Sequence, residues 1–251
     1  SCGSVYEKPW VEELLGESFH PGGEAMTERA ISMLSLPEGS RTLDVACGLG
    51  SCAFALAKRG YRAVGVDASQ RQIERAKERA PEDWDGAFHA VSAEDLPGDL
   101  GRFDGLICEC AFSLVSDKRR VAKNWLHCLE PGGRLVITDM TVCGELPASL
   151  SGELGAWACL SGALSSAQYI EILEEVGFAE IVVVNELGAL LDSISQLKRR
   201  LLLYGLGRLA EIAEDVGVSL AELKSALNDA KNAAAAGTLS YVRIAATRPR
   251  R

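Results

Sequence analysis

The sequence lacks the features that would direct a chain to a membrane, to secretion or to nucleic acid. No apolar run is long enough to span a bilayer, and the charged N-terminus has no apolar signal-peptide core. Basic residues are not in excess: the net charge is −9, which disfavours nucleic acid and anionic membranes as partners. We therefore expect a cytoplasmic protein with neither nucleic-acid nor membrane partners.

A CxxC pair is also absent, although the chain has eight cysteines. This absence disfavours a structural zinc ribbon, and we expect no bound metal. Several of the cysteines lie within apolar, strand-like runs. In a reducing compartment such cysteines are most often small buried residues, so a functional role needs further support.

What is present is enough apolar material for one large α/β domain, since 47% of the 251 residues are hydrophobic. From residue 41 onwards, short apolar runs alternate with helical patterns. This alternation predicts a doubly wound, seven-stranded, mostly parallel Rossmann-like sheet with helices on both faces. Residues 1–40 are expected to form an N-terminal helical lid segment, and residues 41–251 the domain itself.

A helical insertion is expected at residues 187–237, before the last strand. Its first helix is indicated by apolar side chains at helical spacing, namely Leu191, Ile194, Leu197, Leu201 and Tyr204. Ser219 and Glu222 have the spacing of a capping box and predict the start of a second helix. The insertion suits either a lid over the site or an interface between the subunits of a homodimer.

The stretch LDVACGLGSCA, at residues 43–53, combines a buried strand with the pattern G-x-G-x-x-A. Glycines at such a turn let backbone N–H groups approach a ligand at a helix N-terminus, but several nucleotide cofactors are bound this way. Asp44 lies late in the strand, where a carboxylate needs donors, and a cationic ligand group would supply one. Asp67 ends the second strand, at the position where an acid accepts from both ribose hydroxyls.

Five segments resemble, in order and at family spacing across residues 41–140, the motifs of class I S-adenosylmethionine-dependent methyltransferases of type 11. They are LDVACGLG, VGVDAS, SAEDLP, FDGLICEC and LEPGGRLVITD. The segment LSYVRIAATR resembles the family's final antiparallel strand. The resemblance implies S-adenosylmethionine as cofactor, S-adenosylhomocysteine as product and a small molecule as methyl acceptor.

The same resemblance implies the cofactor contacts. It places Gly48 and Gly50 beside the methionine part, Asp67 at the ribose and the segment SAEDLP around the adenine. Two residues, Glu109 and Cys110, would end the fourth strand beside the methyl group. The full set of residues implied for the cofactor is Gly23, Thr27, Asp44, Ala46, Gly48, Gly50, Asp67, Ala68, Glu94, Asp95, Leu96, Glu109 and Cys110.

Three segments resemble the arsenite methyltransferase branch more closely: FHPGGEAMT, CECAFSLVSDKRR and WACLSGALSSAQYIEILEEVGF. Arsenic(III) is soft and binds thiolates, so the resemblance makes Cys110 and Cys159 candidate arsenic ligands. The chain departs from the branch in two ways. Cys52 lies one residue out of the branch's register, which is about 100° around a helix, and no cysteine follows Cys159. Arsenite, or another soft thiol-bound substrate, is an alternative acceptor.

For catalysis, an activated cofactor leaves the protein mainly to align and desolvate the reactants. A general base is needed only if the nucleophile must lose a proton, and His20 and Glu109 are the candidates by position. His20 suits equally well a loop residue that orders the lid. Five aromatic side chains are candidates for a pocket wall or for the core: Tyr6, Trp10, Phe112, Trp157 and Tyr204.

Two interpretations without methyl transfer stay open. One is a protein that binds S-adenosylmethionine without turnover and uses the insertion as a partner surface. The other is a dinucleotide oxidoreductase, which would bind a nicotinamide cofactor but gives no role to SAEDLP or PGGRLVITD. Binding of a nicotinamide cofactor would identify the oxidoreductase, whereas the methyltransferase and the binding protein both bind S-adenosylmethionine. Only the methyltransferase would release S-adenosylhomocysteine when an acceptor is present.

Overall fold

The computed structural model describes residues 10–11, 20–203, 206–215 and 217–250. The strands in these ranges are β1 (Arg41–Val45), β2 (Arg62–Asp67), β3 (Ala87–Ala90), β4 (Phe103–Glu109), β5 (Leu129–Val142), β6 (Ala179–Asn185) and β7 (Leu239–Thr247). The α-helices are α1 (Gly23–Leu34), α2 (Ser51–Lys58), α3 (Gln70–Glu78), α4 (Lys118–Cys128), α5 (Gly152–Trp157), α6 (Ser166–Val176), α7 (Leu187–Leu203), α8 (Leu206–Asp215) and α9 (Leu220–Ala235).

The strands form one sheet in the order β3-β2-β1-β4-β5-β7-β6. Strands β1 to β5 pair in parallel, whereas β7 runs antiparallel between β5 and β6. The predicted doubly wound, seven-stranded, mostly parallel sheet with an antiparallel last strand is confirmed. Because the strand order reverses between β1 and β4, a crevice opens there, beyond the carboxyl ends of the strands.

Helices cover both faces of the sheet, which explains why the central strands are apolar over most of their length. On one face, Trp125 of α4 and Tyr169 of α6 pack with Leu43 of β1. On the other face, Leu56 of α2 belongs to a second buried cluster. Side chains alternate along a strand, so Asp44 points to the opposite face from Leu43, toward α2.

The insertion at residues 187–237 is helical, as predicted, and contains α7, α8 and α9. The predicted capping box at the start of α9 is confirmed, because the Ser219 side chain accepts from the Glu222 N–H while the Glu222 side chain accepts from the Ser219 N–H. Leu190 of α7 and Ala226 of α9 pack with Tyr241 of β7. The insertion is thus joined to the sheet at its β5–β7 side.

The N-terminal helical segment is represented by α1 and by residues 10–11. The rest of the predicted lid, at residues 1–9 and 12–19, lies outside the described residues. Within the described ranges, no helix has both the length and the apolar character needed to cross a membrane.

Candidate active site

The loop after β1 has left-handed backbone at three positions: φ is 60° at Ala46, 51° at Gly48 and 83° at Gly50. Gly50 is the N-cap of α2 and offers no side-chain cap. The first N–H groups of a helix have no acceptor within the helix, so such an end favours an anionic ligand group. A left-handed alanine is costly, and residues held in this way cluster at binding sites.

The two glycines of this loop face different surroundings. A Cβ atom added at Gly48 would have no heavy atom within 4 Å. A Cβ atom added at Gly50 would lie 2.7 Å from Cζ of Phe88. Gly48 therefore borders open space that a ligand can occupy, while Gly50 is required for packing.

Asp44 is a buried acid with only 2% of its surface exposed, and its Oδ2 has no hydrogen-bond partner among the described residues. Burial, and next the charge of Glu109, raise the pKa of Asp44 well above its ordinary value. A buried carboxylate oxygen without a donor is costly. Asp44 could therefore hold the cationic group of a ligand.

Asp67 ends β2, and its carboxylate is fixed by two backbone donors. Its Oδ2 accepts from the Gly48 N–H at 2.9 Å, and its Oδ1 accepts from the Ser69 N–H at 2.9 Å. These bonds join the glycine loop to the start of α3. Ala68 lies between the two elements. The carboxylate thus stands at the strand end beside the glycine loop, where the sequence predicts a ribose contact.

The SAEDLP segment lies farther along the sheet edge and is tied to α4. The Glu94 carboxylate accepts from the Ser116 N–H and hydroxyl at 3.0 and 2.8 Å, and it pairs with Arg120 at 3.0 Å. The Ser116 donors lower the pKa of Glu94. Asp95, whose side chain is 74% exposed, pairs with Arg120 at 2.7 Å. Leu96 is half-buried and packs against the core.

His20, Thr27 and Glu109 form a buried polar cluster at the end of β4. The Thr27 hydroxyl donates to Oε2 of Glu109 at 3.1 Å, and Nε2 of His20 lies 3.5 Å from the same oxygen. Burial alone would lower the pKa of His20, but the Glu109 carboxylate raises it above the ordinary value. Burial raises the pKa of Glu109, but His20 and Thr27 hold it below the ordinary value. The two side chains therefore form an ion pair.

Two cysteines predicted from the arsenite resemblance come together beside this cluster. The Cys159 thiol donates to the Cys110 carbonyl at 3.0 Å, and a hydrogen bond with Cys159 is the main reason that the pKa of Cys110 is raised. Both residues have left-handed backbone, with φ of 52° at Cys110 and 57° at Cys159. Cys52 is buried, and burial, with the charges of Asp44 and Glu109, raises the pKa of its thiol well above the ordinary value.

A cavity of about 740 Å³ adjoins Cys110. It is lined by residues 20–25, which form the turn into α1 and the start of that helix, by residues 157–159 and by α7 between residues 188 and 200. No described part of the glycine loop belongs to its wall. Gly23 lies in that turn. The Gly22 N–H donates to the Ser193 hydroxyl at 3.0 Å, which ties the turn to α7. The cavity and the crevice at β1 are thus neighbouring spaces that meet at His20 and Cys110.

Of the aromatic candidates, only Trp157 lines this cavity, within the described residues. Phe112 is fully buried in the core, and Trp10 is buried with its Nε1 donating to Asp215 at 2.8 Å. Tyr6 and Tyr204 lie outside the described residues. Four polar wall residues were not predicted from the sequence: Arg29, Glu186, Asp192 and Ser193. The last three are more than 150 residues from the turn at residues 20–25, and only the folded chain brings them to the same wall.

These features fit S-adenosylmethionine. Asp44 offers an ammonium group one carboxylate oxygen, Oδ2, that has no partner among the described residues, the N-terminus of α2 favours a carboxylate, and Asp67 stands at the next strand end. The space beside Gly48 lets a ligand approach the backbone closely. Within the described residues, no group of three histidine, cysteine or acidic side chains could hold a metal ion.

A family profile of the methyltransferase domain matches residues 36–177. Methyltransferase GfsG of Streptomyces halstedii is 30% identical over 181 residues, which are 69% of this chain and 65% of that protein. The chain therefore matches just under two thirds of that relative's length.

Two solved structures share the fold. Phosphoethanolamine N-methyltransferase 2 of Haemonchus contortus, in complex with S-adenosyl-L-methionine, has a TM-score of 0.79 and 21% identity, and the alignment covers 99% of this chain and 57% of that one. Geranyl diphosphate C-methyltransferase of Streptomyces coelicolor A3(2), in complex with S-adenosyl-L-homocysteine, has a TM-score of 0.72 and 18% identity, with 89% and 78% covered. By its fold and its family profile, the chain belongs to the class I S-adenosylmethionine-dependent methyltransferases.

Proposed function

We propose that the protein transfers the methyl group of S-adenosylmethionine to a small organic acceptor bound in the 740 Å³ cavity. One observation carries this proposal. The cavity reaches Cys110, directly after β4, and so adjoins the crevice where the Asp44 carboxylate oxygen is buried without a partner. A cofactor held by Asp44 and the glycine loop would then have its reactive end beside a separate acceptor space.

In this proposal, Asp44 binds the methionine ammonium, the backbone at Gly48 and Gly50 follows the methionine part, and Asp67 binds the ribose. Leu96 and the backbone of SAEDLP border the adenine, because the Glu94 carboxylate is engaged by Ser116 and Arg120. When bound, S-adenosylmethionine supplies an activated methyl group on a sulfonium. The chain then has to align the acceptor and exclude water.

The wall of the cavity indicates the class of acceptor. Apolar side chains make up part of it: Met140, Trp157, Leu190, Ile194 and Leu197. Two arginines and two acids also line it: Arg29, Arg200, Glu186 and Asp192. His20 lines it too, but its charge is paired with Glu109, so the charges of the wall are close to balanced. A volume of about 740 Å³ is that of a drug-sized ligand site. We infer an amphipathic organic acceptor with little net charge.

A panel of small organic acceptors tests the proposal by the release of S-adenosylhomocysteine. Turnover with at least one amphipathic member is the expected result, and calorimetry should show binding of S-adenosylmethionine and none of a nicotinamide dinucleotide. Cofactor binding without product from any acceptor would favour the binding-protein interpretation. Binding of the dinucleotide in its place would contradict the proposal outright.

The substitution Gly188→Leu tests whether the cavity holds the acceptor. Gly188 lines it in the first turn of α7, and a Cβ atom there would meet no heavy atom within 4 Å. The leucine should fill acceptor space and raise KM for the acceptor about tenfold or more. S-Adenosylhomocysteine affinity should stay unchanged, because the glycine loop lies outside the cavity.

Steady-state kinetics and calorimetry measure the two effects of Gly188→Leu, and Gly188→Ala is the matched control. Both substitutions should stabilise α7 by about 1 kcal/mol or less, because alanine and leucine have higher helix propensity than glycine. Only leucine is large enough to fill part of the cavity. An unchanged acceptor KM in Gly188→Leu would place the acceptor elsewhere.

A second candidate function, methylation of arsenite or of another soft, thiol-bound substrate, is favoured by the proximity of Cys110 and Cys159. Both line the cavity. Arsenic(III) is best held by three thiolates, and the described cysteines bring two to this wall. A free arsenite ion would also leave most of a 740 Å³ cavity unfilled, so an organic acceptor fits better.

The substitutions Cys110→Ser and Cys159→Ser separate the two candidates. If arsenite is the acceptor, each should reduce arsenite-dependent release of S-adenosylhomocysteine by at least about tenfold, because a hydroxyl is a poor ligand for a soft ion. If the acceptor is organic, neither should abolish turnover. The exposed Cys143→Ser is the matched control. Equal arsenite rates in all three variants would exclude the thiol site.

A further inference from the structure

A second carboxylate oxygen near Asp44 is buried without a partner. Like Oδ2 of Asp44, Oε1 of Glu109 has no hydrogen-bond partner among the described residues, and the Glu109 charge acts on Asp44. Buried acceptors without donors are rare because they are costly. Two such anionic oxygens in one crevice call for a cation that carries several N–H donors, and an ammonium group has three.

The hydrogen bonds around His20 determine its protonation. Nδ1 lies 3.3 Å from the Pro21 carbonyl, which can only accept. Nε2 lies 3.2 Å from the Thr27 hydroxyl, whose own proton goes to Oε2 of Glu109. Both ring nitrogens therefore have to donate, and only the imidazolium does so. With both nitrogens occupied, His20 has no lone pair to offer an acceptor in the cavity.

We propose that His20 is a positioning residue: as an imidazolium it fixes Glu109, so that Oε1 of Glu109 and Oδ2 of Asp44 together bind the methionine ammonium. This inference rests on the proposed function. It assigns His20 a role other than general base. It also explains why the turn at residues 20–25 packs against the end of β4, since the ion pair fastens that turn beside the cofactor crevice.

The charged and titratable groups around this site come from four elements and the N-terminal turn. They are Asp44 of β1, Asp67 of β2, Glu109 of β4, Cys52 of α2 and His20. Burial opposes the charge of His20, but Glu109 first, and also the Pro21 carbonyl and Asp44, favour the imidazolium and raise the pKa of His20 above 6.5. The positive charge persists below that raised pKa and is lost as the pH rises through it. Ligand affinity that depends on His20 should be lost over the same range.

Calorimetric titration with S-adenosylhomocysteine, which cannot transfer a methyl group, tests this inference. His20→Gln and Glu109→Gln should each bind it about 10- to 100-fold more weakly. The affinity for 5′-methylthioadenosine, which lacks the amino-acid end, should not change. Thr27→Val should resemble His20→Gln, whereas Thr27→Ser, which keeps the hydroxyl, should resemble the wild type. His127→Gln, an exposed position on α4, is the control.

Two further readouts distinguish positioning from a merely structural role. The wild-type affinity should fall as the pH rises through the pKa of His20, and this decrease should be absent in His20→Gln. Nitrogen chemical shifts of the imidazole should report a doubly protonated ring at neutral pH without any ligand. A neutral ring, or His20→Gln affinities equal to the wild type at every pH, would overturn the inference. Failure of the wild type to bind at all would instead overturn the proposed function, and this inference with it.

Discussion

Replacing Asp44 with asparagine is expected to weaken S-adenosylhomocysteine binding about 100-fold or more. Asp44 is buried, and in our proposal the ligand ammonium is the counter-charge that its Oδ2 lacks. An amide of the same shape has no charge to offset that ammonium, and its NH₂ group would repel it. Calorimetric titration at neutral pH measures the loss.

The same substitution should leave the free energy of unfolding unchanged or raise it. Burial raises the pKa of Asp44 well above 3.8, so the folded state disfavours the ionised acid. The unfolded chain ionises at Asp44 as the pH rises above 3.8, and from there the free energy of unfolding falls. This loss grows until the pH passes the pKa of Asp44 in the folded state. The advantage of asparagine in thermal unfolding should therefore increase over that range. Weaker binding in a protein of equal or higher stability would identify Asp44 as a ligand residue.

The matched control is Asp139→Asn, at a buried acid of β5 whose oxygens accept from the Ser113 and Met140 N–H groups. Burial raises the pKa of Asp139 to about 7. Its substitution removes a buried acid in the same way but leaves one backbone donor without its acceptor, and it should leave the affinity nearly unchanged. Equal affinity losses in the two variants would contradict a specific role for Asp44.

Alanine substitutions at the two loop glycines should have opposite main effects. At Gly48 the added Cβ has no heavy atom within 4 Å. The free energy of unfolding should therefore fall only by the cost of a left-handed alanine, about 1–2 kcal/mol. The same Cβ enters the space proposed for the methionine part, and binding should fall at least about tenfold. At Gly50 the Cβ lies 2.7 Å from the Phe88 ring, and the free energy of unfolding should fall by about 2–4 kcal/mol.

Thermal unfolding and calorimetry on both glycine variants check this contrast. Phe88→Leu in the Gly50→Ala background provides the control, because a smaller neighbour should recover part of the stability. A Gly48→Ala protein that is as stable as expected and binds S-adenosylhomocysteine normally would show that no ligand passes close to that backbone.

The sheet and the glycine loop could be predicted because their signals are local. Buried strands are short apolar runs, and the turn after β1 needs glycine at Gly48 and Gly50, where φ is positive. Ser219 and Glu222 specify the start of α9 through bonds between near neighbours. Each of these features depends on residues within a few positions of one another, and a single sequence shows such patterns directly.

The contacts around the end of β4 could be predicted only in part, because they join distant parts of the chain. His20 meets Glu109, and Cys110 meets Cys159, through the packing of separate elements. The sequence identified Glu109, Cys110 and Cys159 as candidates by family resemblance and His20 by its position, but it predicted neither the ion pair nor its protonation. Cys52 is buried, and its thiol lies close enough to Glu109 for that carboxylate to raise the pKa of the thiol, which no local pattern indicated.

The insertion begins and ends at neighbouring positions of the sheet, which bears on how easily its length can change. The Glu186 N–H donates to the Tyr241 carbonyl at 2.7 Å, so the chain departs from β6 and returns to β7 at adjacent positions of one antiparallel pair. The entropy of closing such a loop grows only with the logarithm of its length. A longer or shorter segment at this junction would therefore change the entropy cost of folding by little. In our proposal such a change would reshape the acceptor cavity, because α7 lines it.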